Sequence, residues 1–435
     1  MRELKYSGVE WIGDIPSDWK VQKVKTAFYR SKEEAHIEDP VILSLARSGV
    51  KIRDISNNEG QLAESYYNYN PVVPGDLLLN PMDLYSGANC SISKVSGVIS
   101  PAYINLRTRG NYCPAYYDYY FKIQYWAMAL FAHGKGVSFD NRWTLSPNDL
   151  FNYYIPVPEY TEQKRIADFL DRKCAEIDDV IEKTKATIEE YKKLKQSVIT
   201  EAVTKGIRGD RPMKDSGIEW IGDIPKEWDC LKAKYLFQVG DGSLKIGPFG
   251  SSLSGKTLEE GPYKIYNQAH LVSNDFSLNR HFVSESTFET LKSYEIKPGD
   301  VLFSMMGTIG KCRIMPSGYC KGIMDSHLLK ARLNELVDEK YFSYVYDKDH
   351  SSIGICQLNY HSNGSIMSGL NSTIVKNIYV PLPSLKEQKE IVGFLDRKCA
   401  EIDKLIADKT HLLEEMESYK KSVIYEYVTG KKQVN

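Results

Sequence analysis

The strongest constraint on how this chain folds is that it repeats itself, in two blocks. Glu162–Asp178 (EQKRIADFLDRKCAEID) returns at Glu387–Asp403 (EQKEIVGFLDRKCAEID), with changes only at Arg165/Glu390, Ala167/Val392 and Asp168/Gly393. Ser7–Lys25 (SGVEWIGDIPSDWKVQKVK) returns at Ser216–Lys234 (SGIEWIGDIPKEWDCLKAK). The stretches between the blocks hardly match. A duplicated frame with two different inserts is built to hold two different readers at a fixed separation.

Each Glu-Gln-Lys block opens a helix. From Leu170 the apolar positions run through Cys174, Ile177, Ile181, Thr184, Ile188, Tyr191, Lys195, Val198 and Ala202. Steps of four and three alternate, which is the 3.5-residue period of a coiled coil. The repeat places Leu395, Cys399, Ile402, Ile406, Lys409, Leu413, Met416, Lys420, Val423 and Tyr427 at the same positions. Polar residues interrupt both seams at matching points (Thr184/Lys409 and Lys195/Lys420), as register-fixing residues do.

A Pro-x-Pro segment precedes each helix (Ile155–Pro158 and Val380–Pro383). Thr161 is the expected N-cap of the first helix, and Ser384 with Glu387 the expected capping box of the second. Gly206 and Gly430 follow the helix ends, where C-cap glycines belong. Roughly 43 residues at 1.5 Å each give a rod of about 65 Å. The short polar linker Gly206–Asp215 cannot retrace such a rod. The sequence therefore predicts antiparallel helices with a globular domain at each end, related by a pseudo-twofold axis, and neighbouring termini.

The expected fold class is α+β, with two globular domains and a pair of long antiparallel coiled-coil helices. The expected division is 1–158 for the first globular domain, 159–205 for its helix, 206–383 for a linker and second domain, and 384–435 for the second helix and tail. Pro74-Gly75-Asp76 before Leu77–Leu79, and Pro298-Gly299-Asp300 before Val301–Phe303, read as turns feeding buried strands. Tyr112–Trp126 reads as an aromatic-rich helix.

Composition excludes several classes. With 26% charged and 42% hydrophobic residues the chain is an ordinary globular protein. No apolar run reaches the roughly 18 residues of a membrane span, and the start lacks a secretory apolar region. Eight cysteines without a C-x-x-C pair indicate a reduced, cytoplasmic setting. The net charge is −1 and evenly spread: residues 1–158 carry 16 basic and 16 acidic side chains, and residues 206–383 carry 20 of each. Unaided nucleic-acid binders usually show a basic surplus, so any such binding here needs basic groups gathered on one face and help from partners.

The motifs offer little chemistry. Gly250–Thr257 (GSSLSGKT) matches the phosphate loop of nucleoside triphosphatases, but the buried strand before it and the helix after it that the mechanism needs are not evident, and Gly261-Pro262 would stop such a helix. Gly307–Gly310 fits a GXXG loop without the frame of a KH module. Asn80-Pro81-Met82-Asp83 lacks the second proline and aromatic of an amino-methyltransferase loop. The eight histidines show no ligand spacing, and no nucleophile elbow is present. No catalytic residue and no metal site is expected.

The Ser-Gly-[Val/Ile]-Glu-Trp-Ile-Gly-Asp-Ile-Pro-x-x-Trp heads and the Pro-x-Pro…Glu-Gln-x-x-Ile-x-x-Phe-Leu-Asp helix openings resemble the specificity (S) subunit of type I restriction–modification enzymes. Gly247–Ser252 and the Pro-Gly-Asp…Gly-x-x-Gly stretch at 298–310 are similar to that family's recognition domains. The resemblance implies that each globular domain reads one half of a split double-stranded DNA site. The helices would set the gap and dock two methyltransferase subunits, with restriction or motor subunits as possible further partners. S-adenosylmethionine, ATP and magnesium would belong to those partners, and this chain would hold no cofactor. Two rival classes are a scaffold spacing two protein-binding domains and a nucleotide hydrolase using Gly250–Thr257.

Base reading favours Arg, Lys, Asn, Gln and Ser on loops. The candidates in the first domain are Arg47, Lys51, Arg53, Asn80, Ser86, Asn141 and Arg142. Those in the second are Lys245, Ser251, Ser252, Lys256, Asn267, Gln268 and His270. Most of the 30 tyrosines are expected in the core, with a minority left to stack on bases.

Overall fold

The fold is described from a computed structural model, which covers residues 2–56, 63–82, 84, 90–136, 143–240, 242–248, 253, 261–279, 281–306, 308–347, 351–361 and 370–434. Helix and strand are mixed throughout, and contacts divide the chain into two compact units. Unit 1 is residues 1–185 with 411–435; unit 2 is residues 186–410. Each unit thus contains one globular domain, the start of the helix that follows it and the end of the other helix.

Unit 1 runs through β1 (Lys20–Lys23), β2 (Phe28–Ser31), β3 (Leu77–Leu79), β4 (Cys90–Ile92), β5 (Ile104–Thr108), α1 (Pro114–Trp126), β6 (Tyr154–Val157) and the first part of α2 (Tyr160–Lys205). Its main sheet has the order β2-β5-β3-β4, all antiparallel. β3 is buried along its whole length, as Leu77–Leu79 requires. One face of the sheet meets the tyrosine-rich α1, and the same core takes in Ile166, Ala167, Leu170 and Cys174 of α2.

Unit 2 runs through β7 (Asp229–Lys232), β8 (Leu244–Ile246), β9 (Tyr263–Tyr266), β10 (Phe282–Val283), β11 (Glu295–Ile296), β12 (Val301–Ser304), β13 (Cys312–Ile314), β14 (Gly322–Met324), β15 (Leu328–Ala331), α3 (Glu339–Tyr346), β16 (Tyr379–Leu382) and the first part of α4 (Leu385–Val428). Its sheet β8-β15-β12-β13 has the same order and pairing as the sheet of unit 1. Unit 2 adds a second four-stranded sheet, β10-β9-β14-β11, with β9 and β14 parallel. The inserts that look unrelated in sequence therefore share one sheet, and the difference is what is laid on its other face.

The Pro-Gly-Asp turns act alike in the two units. Gly75 and Gly299 take positive φ (96° and 84°), which glycine adopts without a Cβ clash. Asp76 accepts two bonds from Arg107 (2.8 and 3.0 Å) and one from the Val73 N–H. Asp300 accepts from Arg332 (2.7 Å) and from the Lys297 N–H. Each buried aspartate thus ties its turn to the central strand of the sheet.

In both long helices the seam positions are buried or half-buried among the described residues. Within unit 1, Leu170, Ile177, Ile181 and Val423 are buried, and Leu413 and Met416 half-buried. Within unit 2, Ile188, Leu395 and Ile402 are buried, and Tyr191, Val198 and Ile406 half-buried. The seam lysines are matched: Lys420 meets Asp178 (2.6 Å) in unit 1 and Lys195 meets Asp403 (2.7 Å) in unit 2. These pairs are each other's images in the repeat, and in each unit they set the two helix segments antiparallel.

Candidate nucleic-acid interface

The repeated blocks meet in space within each unit. Trp19 and Trp228 are both 1% exposed, and each indole N–H donates to the glutamate of the helix opening. Trp19 bonds Glu162 at 3.0 Å, and Trp228 bonds Glu387 at 3.1 Å. A guanidinium closes each site: Arg2 reaches Glu162 at 2.5 Å, and Arg211 reaches Glu387 at 2.6 Å. The hydrogen bonds to Glu162 and Asp18 outweigh burial and raise the Arg2 pKa above its ordinary value. Charge-assisted bonds of this kind are about twice as strong as neutral ones.

This corrects the expected helix caps. The Ser384 hydroxyl does accept from the Glu387 N–H at 3.4 Å, but the Glu387 carboxylate goes to Trp228 and Arg211 and does not return to the cap. Thr161 lies inside α2, which begins at Tyr160, so it caps nothing. The glutamate is kept for the head, not for the helix end.

The glutamine beside it holds the globular domain. Gln163 accepts from the Cys113 N–H at the start of α1 (2.9 Å) and donates to Pro158 (2.8 Å). Gln388 accepts from the Asp338 N–H at the start of α3 (2.8 Å) and donates to Pro383 (2.9 Å). Tyrosines then reach the end of the other helix: Tyr116 donates to the Val428 carbonyl (2.7 Å), and the Tyr341 hydroxyl lies between the Pro381 (2.8 Å) and Val203 (3.2 Å) carbonyls. Burial holds both phenols well above their ordinary pKa, so they remain donors. Gly430 and Gly206 follow with positive φ; a Cβ there would lie 2.9 Å from the Trp19 ring and 3.1 Å from that of Trp228. Each head therefore clasps the start of one helix and the end of the other, which explains the duplication of both blocks.

The candidate base-reading residues are scattered differently. Arg47 is exposed in the turn between the paired strands Leu43–Ala46 and Gly49–Ile52, Lys51 is exposed on the second of these, and Arg53 just beyond it is half-buried. Asn80 is 9% exposed, and its Oδ1 accepts from the Met82 N–H at 3.0 Å, so it shapes its own turn. Asn267 caps the short helix Gln268–Ser273, and Gln268 is half-buried at its start. His270 is fully buried, with Nδ1 3.1 Å from the Asn267 N–H and Nε2 3.1 Å from the Leu278 carbonyl. It cannot meet a base edge; it braces the loop that presents its neighbours.

Ser86, Asn141, Arg142, Ser251, Ser252 and Lys256 lie outside the described residues. So does the phosphate-loop match Gly250–Thr257, apart from Leu253. A short strand, β8, precedes that match, but it is half-buried to exposed and not the buried strand that a phosphate loop needs. It is an edge strand, and the described chain resumes at Gly261 and enters β9 at Tyr263. Among the described residues no cluster of His, Cys, Asp or Glu has the arrangement to hold a metal ion, and no helix is long and apolar enough to cross a membrane.

Lys245 brings together groups that sequence reasoning missed. It lines a cavity of about 190 Å³ with Lys292, Glu295, Lys297, Lys330 and Arg332. The available signal was Lys330, a charge within the otherwise apolar strand Leu328–Ala331. In unit 1 the exposed aromatic Tyr67 lies 5.0 Å from the His36 ring.

Residues 225–415 match the family model described as the type I restriction modification DNA specificity domain. Along its length the chain is similar to the specificity-subunit family of type I restriction enzymes. Two curated members of that family align along nearly its whole length. The MjaVIII specificity subunit of Methanocaldococcus jannaschii is 24% identical over 442 residues, covering 96% of this chain and 93% of its own. The EcoBI specificity subunit of Escherichia coli is 22% identical over 455 residues, covering 99% and 89%. The fold matches a chain from a structural study of complex assembly and conformational transition of the type I R-M system, with TM-score 0.70, 15% identity, and coverage of 96% and 99%. The head, the helix opening and the clasp between them are the parts of the chain that the repeat preserves.

Proposed function

We propose that this chain is the DNA sequence-specificity subunit of a type I restriction–modification complex, in which each globular domain reads one half of a bipartite site. The observation that carries the reading is the doubled clasp: one frame, built twice from the same residues, holds two sheets whose outer coverings differ. The target recognition domains are residues 1–158 and 206–383, the second including its linker; the helices 159–205 and 384–435, with the C-terminal tail, form an antiparallel coiled coil whose length sets the gap. The chain supplies the address. Methylation and any cleavage belong to partners in the cytoplasm, which carry S-adenosylmethionine, ATP and magnesium. Those partners share the phosphate contacts that dominate affinity, which reconciles DNA binding with a net charge of −1.

Two methyltransferase subunits dock on the helices in this reading. Four exposed apolar residues stand one position before the seam, in two pairs related by the repeat: Val180 with Leu405 and Leu194 with Tyr419 (42, 44, 49 and 48% exposed). A matched pair of apolar spots is what two copies of one partner require. The test is co-expression with the cognate methyltransferase in a methylation-free host, with N6-methyladenine mapped by long-read sequencing. The expected result is one split motif with a fixed unspecified gap. A soluble complex that methylates nothing, or methylates an unbroken motif, contradicts the reading.

A further inference from the structure

The two sheets differ at a pair of facing positions that their shared strand order makes equivalent. In unit 1, Asn105 of β5 stands opposite Ser31 of β2. Asn105 is fully buried and donates to the Pro71 carbonyl (3.2 Å) and to Asp76 (2.8 Å). In unit 2 the same places hold two cations: Lys330 of β15 stands opposite Lys245 of β8. Lys330 is 2% exposed and bonds the Glu295 carbonyl, which corresponds to Pro71.

Like charges directly opposite on neighbouring strands destabilise a sheet, and a buried ammonium with little compensation is costly. Among the described residues, neither Lys245 nor Lys330 has a carboxylate within 4.0 Å that forms an ion pair with it; Lys245 instead lies over the Tyr294 ring at 4.2 Å. Burial pushes the Lys330 ammonium down to about 8. The remaining wall adds Lys292, Lys297 and Arg332 against a single lining carboxylate, Glu295. Arg332 is already neutralised by Asp300 (2.7 Å) and Lys292 by Glu289 (2.9 Å), whereas Glu295 is divided between Lys321 (3.5 Å) and Lys297 (3.9 Å). What remains is a concave, polar and cationic recess over the facing lysines.

We infer that this recess in unit 2 is a binding site for one phosphate group, held by Lys245 and Lys330, and that unit 1 has no equivalent because Ser31 and Asn105 replace the lysines. The phosphate is either one of the DNA backbone, which rests on the function proposed above, or a free phosphate that stabilises the domain. The site carries no base information. It fixes the position of the second reader on the duplex, as phosphate contacts do.

The test uses the full chain in complex with its methyltransferase and a double variant, Lys245→Ser with Lys330→Asn, which installs the pair that unit 1 already accommodates. Two quantities are measured: the shift of the unfolding midpoint on replacing chloride with inorganic phosphate at matched ionic strength, and the slope of log affinity for DNA against log salt. A phosphate-induced rise lost in the variant, with a slope shallower by about 0.9, places a backbone phosphate in the recess. The same lost rise with an unchanged slope assigns the site to free phosphate. No phosphate effect on the wild type and no change of slope overturns the inference. The split methylation motif of the wild-type complex is read independently, so failure of the recess and failure of the proposed function give different results. Melting of the variant in chloride alone shows whether it remains folded.

Discussion

The two units hold their helices by the same bonds and cover their sheets with different material. Trp19, Glu162, Arg2, Gln163 and Tyr116 in unit 1 correspond one for one with Trp228, Glu387, Arg211, Gln388 and Tyr341 in unit 2. Beyond the shared sheet, unit 2 lays down β10-β9-β14-β11, whereas unit 1 has two small strand pairs, Asn70–Val72 with Gly97–Ile99 and Leu43–Ala46 with Gly49–Ile52. One frame with two different coverings is what two separate readers, as proposed above, require. Buried polar clasps tolerate few substitutes, while an outer covering is free to change as long as one face still seals the sheet.

The comparison is most severely tested at the tryptophans. Trp19→Ala and Trp228→Ala should each cost about 3–5 kcal/mol, measured by denaturant unfolding, because each removes a fully buried indole. Near-equal losses support equivalent clasps; a loss below about 1 kcal/mol in one unit breaks the equivalence. Next come Glu162→Ala and Glu387→Ala, each leaving an indole N–H and a guanidinium without their acceptor, at about 2–3 kcal/mol. The effect should be larger in unit 2, since the Glu387 and Arg211 side chains are 4% and 10% exposed against 12% and 19% for Glu162 and Arg2.

A pH effect separates the sheets. Lys330 releases its proton more readily folded than unfolded, its pKa being lowered from 10.5 to about 8. Between those values the unfolded chain binds more protons, so stability rises with pH there. Wild type should therefore gain stability relative to Lys330→Asn from about pH 8 to 10.5, in urea titrations at each pH; a flat difference would show that Lys330 is not strained. Smallest of all, Lys195→Met and Lys420→Met should each change stability by about 0–1 kcal/mol, and equally, because both ion pairs are partly solvated. Unequal effects would show that the two lysines do not serve the helices alike.

Much of the frame is legible in the sequence because periodicity and identity report it directly. The seam from Leu170 to Ala202 and the buried strand after Pro74-Gly75-Asp76 follow from spacing alone. The clasp is not legible that way. Glu387 sits three residues after Ser384, and local rules then favour a capping box; only the fold shows that Trp228 and Arg211, more than 150 residues away in sequence, claim its carboxylate. His270 fails for a similar reason: a polar residue in a polar stretch reads as surface, yet its ring is locked between Asn267 and Leu278. Lys330 went unnoticed because a lone lysine in a strand says nothing of the lysine it will face.

The central claim is that one frame carries two independent readers. The decisive exchange replaces the unit 2 insert, from Leu236 to Ile374, with that of a related specificity subunit while keeping both heads, both helix openings and both helices. The methylation motif of the resulting complex is then mapped beside that of the wild type. One half of the split motif should change while the other half and the gap stay the same. A change in both halves, or in the gap, would contradict it.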